Sequence, residues 1–372
     1  MKTEGEITLT KESYGRNALR VVLVGSGFIA SQKHLPAWKR LKNAVQVTAI
    51  CDLDRRRGEE VAKQFGVPKV YEDLAAMLER EQPDVVDICT PPRTHAPLAL
   101  QALKAGSHVL IEKPMAMNVQ ECDEIIAAAQ RANRQVCVAH SDLFYPAFLE
   151  LRRLVQKGTI GEFRGMRLLL STPVSYMTAQ PDHWAHKLPG GVVGETGPHA
   201  VYLTLAFINP IKEVKVHAHK VLHQYPWSAF EDYRIDLIGE HAISSVALIY
   251  TTNQWAAEIE IWGSEGFLYA DLESQSLALY QRATLKPYSV GWSAFAKGVQ
   301  IIWTTAKMAV RFLTCRAERA HDLLIRQFVE SLQKGTPPPV SPEEGREAVR
   351  VMHLIAEQVN LIAGQVKTTE GR

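Results

Sequence analysis

The chain has 372 residues of which 46% are hydrophobic, enough to build two cores where a typical compact domain has one. Lys plus Arg total 42 against 40 for Asp plus Glu, and the formal net charge of +2 lacks the polyelectrolyte signature of a nucleic-acid binder, so a small-molecule partner is expected. The start, Met1 to Asn17, has no apolar core of a signal peptide, and Cys51, Cys89, Cys122, Cys137 and Cys315 form no C-x-x-C pair, which together predict a cytoplasmic protein with reduced thiols.

From Leu19, short apolar runs alternate with helical stretches: LRVVLVG, AVQVTAICD, DVVDICT and HVLIEKP. This alternation predicts a doubly wound parallel sheet over residues 18–139. The first strand runs into Gly25, Ser26, Gly27, Phe28, Ile29 and Ala30, a G-x-G-x-x-A turn that opens a helix. Gly25 suits the tight turn, Gly27 a close approach of backbone to pyrophosphate, and Ala30 close helix packing. Asp52 ends the second strand, 22 residues past Ala30, where a carboxylate accepts hydrogen bonds from the adenosine ribose. An acid there repels a ribose 2′-phosphate and favours NAD; Arg55, Arg56 and Arg57 either support NADP or are solvated charges at a helix start. Thr90, Pro91 and Pro92 stiffen the loop after DVVDICT at the ligand-binding edge of the sheet. His95 either touches the cofactor or caps the next helix, and capping is the expectation.

Past Val138 strands follow one another: EFRGMRLLL, VKVHAHKVL, YRIDLI, AISSVALIY, AAEIEIWG and GFLYADL. Residues 140–372 are predicted to form an α+β domain on a mainly antiparallel open sheet. Helices are expected near Ala147–Gln156 and Gly197–Phe207, then over Ala320–Gln333 and from Ser341 to about Ala363. His217, His219 and His223 cluster, but in a strand His217 and His219 share a face with Lys215, so a polar outer face and no metal site is expected. From Trp292 to Leu313, apolar residues recur three or four apart in an amphipathic helix that Lys297, Lys307 and Arg311 interrupt too often for a membrane span. It is expected to pack on the sheet or on a second subunit, with a membrane surface as the alternative; membrane contact is not expected.

GSGFIA, TPPRTH, HVLIEKPMAMN, PGGVVGETGPH, IWGSEGFLYADL and ESLQKGTPPPVSPEEGREAVRVM follow in an order and spacing that resembles the glucose-fructose oxidoreductase/inositol dehydrogenase/rhizopine catabolism (MocA) family over nearly the whole chain. The resemblance implies a Rossmann domain followed by a larger α/β domain whose open sheet often makes oligomer contacts, hence a homo-oligomer. It also implies a catalytic lysine, Lys113, beside the nicotinamide, preceded by Glu112 and followed by an often cis bond to Pro114, and a catalytic histidine, His199. Where the family usually carries an aspartate four residues before that histidine, this chain has Glu195, a supporting catalytic carboxylate one methylene farther out that is expected to bond either a substrate hydroxyl or the catalytic pair. His183, Trp184 and His186 lie where the family forms its substrate pocket; Trp184 either lies against a sugar face or plugs the domain junction. The residue types suit hydride transfer from a secondary alcohol of a sugar or cyclitol. A histidine takes the hydroxyl proton near neutral pH and an ammonium stabilises the developing alkoxide. Two other readings stand beside it: an NAD-dependent glycosidase using transient oxidation, and a non-enzymatic dinucleotide sensor.

Overall fold

The structure, a computed structural model, describes residues 18–314 and 319–370, so Met1–Asn17 and Cys315 lie outside the described residues. The chain divides into two compact units: the chain up to Ala139 with His321–Glu343, and His140–Ala320 with the residues from Glu344 on.

The first unit alternates strands β1 (Leu19–Val24), β2 (Val45–Cys51), β3 (Lys69–Tyr71), β4 (Val85–Ile88), β5 (His108–Ile111) and β6 (Val136–Val138) with helices α1 (Leu35–Arg40), α2 (Arg55–Phe65), α3 (Leu74–Glu81), α4 (His95–Lys104) and α5 (Val119–Ala132). The sheet order is β3-β2-β1-β4-β5-β6, all parallel. Because helices cover a sheet of this kind on both faces, its central strands are continuous apolar runs: Val21 to Leu23, Val85, Val86 and Val109 to Ile111 are fully buried. Asp87, in the middle of β4, is the exception, a carboxylate with no exposure at all. Asp54, Asp73 and Asn118 cap α2, α3 and α5 by accepting a backbone N–H in the first turn.

The second unit is built from α6 (Pro146–Gln156), β7 (Phe163–Ser171), α7 (Val193–Leu205), β8 (Glu213–His219), β9 (Asp232–Ile238), β10 (Ile243–Ile249), β11 (Ala256–Gly263), β12 (Phe267–Asp271), β13 (Ser276–Tyr280) and α8 (Pro287–Leu313). Two more helices close the chain, α9 (Ala320–Lys334), which falls almost wholly in the first unit, and α10 (Pro342–Glu370), most of which falls in the second. The seven strands lie in the order β13-β12-β11-β7-β10-β9-β8, antiparallel except for the pair β7 and β10. One face buries Met166, Leu168, Ile235, Leu237, Val246, Ile259 and Ile261 in a core with Val201 and Leu203 of α7 and Val351, Ile355 and Val359 of α10. The opposite face is open and charged, with Arg167 paired to Glu260 at 2.7 Å. In β8, Val214 and Val216 are buried while Lys215, His217 and His219 point outward, so the clustered histidines lie on a polar face.

Two expectations change and a third is met from an unexpected side. The stretch 140–372 is not one continuous unit: α9 returns to the first, with Leu324, Ile325, Phe328 and Val329 buried. Helix α7 starts at Val193, four residues before the expected Gly197, because Pro198 is accommodated inside it, so that Glu195 and His199 stand one turn apart on a single helix. Helix α8 packs on the sheet, as expected, but meets β13 with the side opposite its apolar stripe: Trp292, Phe295, Ile302, Trp303 and Val310 are exposed. Among the described residues, no helix is long and apolar enough to cross a membrane.

Candidate active site

In the first sheet β1 pairs with β2 on one side and β4 on the other, which makes the ends of β1 and β4 the switch point where such sheets bind ligands. Gly25 sits at φ +90°, and a Cβ on it would lie 2.7 Å from the carbonyl oxygen of Cys89, so the turn requires glycine. A Cβ on Gly27 would meet nothing within 4 Å; protein packing does not demand this glycine, whereas a dinucleotide lying along the loop does. Phe28 is exposed beside it, and the bond from Ser31 N to Gly27 O opens the helix, leaving the N–H groups of Phe28 and Ile29 as its leading donors. Cradle and helix start therefore fit the pyrophosphate of NAD.

Asp52 is more committed than its position suggests. Its Oδ2 accepts from the backbone N (2.7 Å) and Oγ (2.5 Å) of Ser26, and its Oδ1 from Asp54 N (2.9 Å) and Arg57 Nη2 (2.7 Å). Burial alone would raise this carboxyl, but the bonds from Arg57, Ser26 and Asp54 outweigh it and bring it down to about 2. A ribose hydroxyl reaching Asp52 shares it with Arg57, whose other side is half exposed. Arg55 and Arg56 instead pair with Glu59 and Glu60 on the surface of α2, the solvated role.

Below the fingerprint lies a buried ion cluster that sequence reasoning missed. His34, on the helix that opens at Gly27, places Nδ1 2.9 Å from Asp87 Oδ2 and Nε2 2.8 Å from Glu112 Oε1, and Trp38 Nε1 donates to Asp87 at 2.6 Å. Burial opposes a charge on His34, yet Asp87 raises its pKa well above the ordinary value, so an imidazolium bridges two carboxylates. Burial likewise pushes Glu112 up, and His34 brings it down to about 2. His321 of α9 stands edge-on to His34 with ring centres 5.3 Å apart. Glu112, expected at the cofactor, is buried with one oxygen on His34, and its Oε2 accepts the backbone N–H of Lys113 at 3.0 Å. The cluster thus fixes the end of β5 from which partly exposed Lys113 and its cis bond to Pro114 emerge. An acid within the apolar run DVVDICT was the available signal.

His95 does not cap α4. The ring is fully buried, with Nδ1 2.8 Å from Pro114 O and Nε2 2.7 Å from Thr90 O, and burial lowers its pKa. A neutral ring donates to one of these carbonyls at a time and ties the Thr90–Pro91 loop to the Lys113–Pro114 loop. It is closed to direct contact with a cofactor.

In the second unit α7 presents His199. Its Nδ1 lies 2.6 Å from Asp142 Oδ2 and 2.6 Å from Tyr202 Oη, while Asp142 N donates to Tyr202 Oη at 3.3 Å. His140 stacks on Tyr202 with ring centres 4.3 Å apart. No described group bonds His199 Nε2, and the side chain is 22% exposed, so the carboxylate holds the ring while the far nitrogen stays open to a proton. The carboxylate that bonds His199 is Asp142, in the turn after β6, a residue the sequence reading did not single out. Glu195 is instead close enough to His183 to favour its protonated form, against the stronger effect of burial, which lowers it. His183 Nδ1 accepts from Ala185 N at 3.3 Å and its ring stacks on half-exposed Trp184, while Tyr176 meets Trp255 edge-on at 5.2 Å. Tyr176 and Trp255 add two aromatic surfaces to the predicted pair. His186 has Nε2 3.0 Å from Gln180 O, within its own loop.

Comparison with known proteins identifies the family. Residues 19–140 match an oxidoreductase family with an NAD-binding Rossmann fold, and residues 148–269 match the GFO/IDH/MocA C-terminal domain. A D-apiose dehydrogenase of Paraburkholderia graminis is 26% identical over 94% of this chain and 88% of its own length. A myo-inositol 2-dehydrogenase of Thermotoga maritima is 22% identical over 89% and 93%. The fold is shared with the WlbA dehydrogenase from Bordetella pertussis, solved with NADH and UDP-GlcNAcA, at a TM-score of 0.75, 18% identity and coverage of 93% and 96%. With the models of both domains matched in order, the chain belongs to the NAD-binding Gfo/Idh/MocA family of oxidoreductases.

Proposed function

We propose that this protein transfers hydride reversibly between NAD(H) and a secondary hydroxyl or ketone of a sugar, sugar derivative or cyclitol. The observation that carries the reading is His199, held at Nδ1 by Asp142 and open at Nε2. Bound NAD supplies the hydride acceptor. In the oxidative direction His199 Nε2 takes the hydroxyl proton and the ammonium of Lys113 stabilises the oxygen as the C–H bond gives up its hydride; in reduction the proton returns from His199. Glu195 supports the substrate's hydroxyls, and His183 and Trp184 offer a ring edge and a flat apolar face to a carbohydrate. The names of the apiose and inositol dehydrogenases support this substrate class. Asp52, tied to Arg57, supports NAD over NADP. The buried thiols Cys51, Cys89, Cys122 and Cys137 support a reducing, cytoplasmic setting, and the family resemblance supports a homo-oligomer that meets through the open sheet face.

The test is reduced-nicotinamide absorbance with NAD or NADP and a panel of sugars, cyclitols and nucleotide sugars. Lys113→Ala is expected to lower turnover by ~10²- to 10⁴-fold with little change in nucleotide affinity. Turnover unchanged in that variant overturns the assignment, as does aglycone release from chromogenic glycosides without accumulation of reduced cofactor.

A further inference from the structure

Helix α8 is turned inside out for a helix in water. Four polar residues, Ser293, Lys297, Gln300 and Thr304, face the protein: Gln300 donates through Nε2 to Leu279 O (2.8 Å) and accepts at Oε1 from Leu279 N (3.0 Å), and Thr304 Oγ1 accepts from Leu277 N at 3.2 Å. Arg282 Nε donates to Ser293 Oγ at 2.9 Å, and the ammonium of Lys297 lies 4.8 Å and 4.7 Å from the ring centres of Tyr269 and Tyr280. These bonds occupy backbone groups of β13, an edge strand, and fix the rotation of the helix. Its outer side is consequently apolar over several turns: Trp292 70%, Phe295 63%, Ile302 70%, Trp303 70% and Val310 59% exposed. A contiguous exposed stripe of this kind marks an interaction surface.

Charge selects the occupant. From Ser274 to Ala317 the sequence has no Asp or Glu and six Lys or Arg, in a chain whose two signs otherwise nearly balance. Lys307 and Arg311, both exposed, accompany the apolar stripe. A second copy of α8 would bring the same positive charge against it, with no acid on the helix to answer; an anionic lipid surface satisfies both the stripe and the cations. Paired tryptophans on the stripe suit the boundary between headgroup and acyl chain. We propose that α8, held to β13 by its inner side, lies with its apolar stripe in the plane of an anionic membrane surface and docks the protein there.

The experiment is co-flotation of the full chain with phosphatidylcholine vesicles, with and without phosphatidylglycerol. The wild type is expected to float with the anionic vesicles and to be released by high salt. Trp292→Glu with Trp303→Glu is expected to cut the bound fraction by about tenfold or more, and Lys307→Glu with Arg311→Glu to do the same on anionic vesicles, while far-ultraviolet circular dichroism and NAD binding stay unchanged. A wild type that stays unbound overturns the proposal, as does flotation untouched by the folded double variants. A dimer that dissociates when the two tryptophans are replaced, with no flotation, overturns it too and gives the stripe to a second copy.

Discussion

A histidine in each unit uses its ring nitrogens in the opposite way, His34 in the first and His199 in the second. In the first, Asp52 is bonded by Ser26, Asp54 and Arg57, and His34 spends both ring nitrogens on Asp87 and Glu112. In the second, His199 spends one nitrogen on Asp142 and Tyr202 and keeps the other open. Groups with all their bonding capacity filled hold geometry, since moving them strands a charge in a low dielectric. A group left half filled can exchange a proton at modest cost. The contrast separates scaffold from chemistry among side chains that look alike in composition.

Replacing His199 tests the chemical side and is expected to have the largest effect. His199→Ala should lower turnover by ~10²- to 10⁴-fold with the melting temperature nearly unchanged, and Asp142→Asn should fall short of that loss while distorting the pH profile, because it loosens the ring without removing it. Steady-state kinetics across pH measures both. A large loss of stability in His199→Ala would break the contrast.

The scaffold side is tested by His34→Leu, which leaves Asp87 and Glu112 buried without their cation. A destabilisation of about 3–5 kcal/mol is expected in urea unfolding. Retention of wild-type stability would show the cluster to be dispensable.

The smallest effect is a pH dependence. Asp52 and Glu112 titrate near about 2 in the folded chain against ordinary values of 3.8 and 4.5. The stability they contribute is fully present above those ordinary values and is lost as pH falls toward 2. His34, raised in the folded chain, works the other way: its contribution is present below 6.5 and is lost only as pH rises through its higher folded value. Unfolding free energy should therefore drop from pH 5 to pH 3; a flat profile there would mean that the two carboxylates are not held as described.

Much of this was legible in the sequence because it is local. The turn from Gly25 to Ala30, the alternation of apolar runs and the lysine after β5 each declare themselves within a few residues. What escaped depends on contacts between distant positions. Asp142 meets His199 from 57 residues away, and His34 meets Glu112 from 78, and neither separation leaves a periodic trace. Glu195, one helical turn from His199, was the carboxylate nearer in sequence, and nothing local marked Asp142 as the one that bonds the ring. In α8 the period was read correctly but not its direction, since periodicity shows that a helix has an apolar side and not which neighbour the polar side can grip.

The return of α9 to the first unit has a consequence for how the protein is made. Val138 N in β6, an edge strand of the first sheet, bonds to Val340 O, Gln135 Nε2 donates to Thr336 O, and Arg40 pairs with Asp322. The nucleotide-binding unit is therefore incomplete when Ala139 leaves the ribosome and must wait for residues up to Glu343. At translation rates of ~5–20 residues per second the wait is roughly 10 to 40 s, during which the edge of β6 and the site of Phe328 and Val329 stand open. The nascent chain is most exposed to misassociation in that interval, and a fragment ending at Ala139 would remain in it permanently.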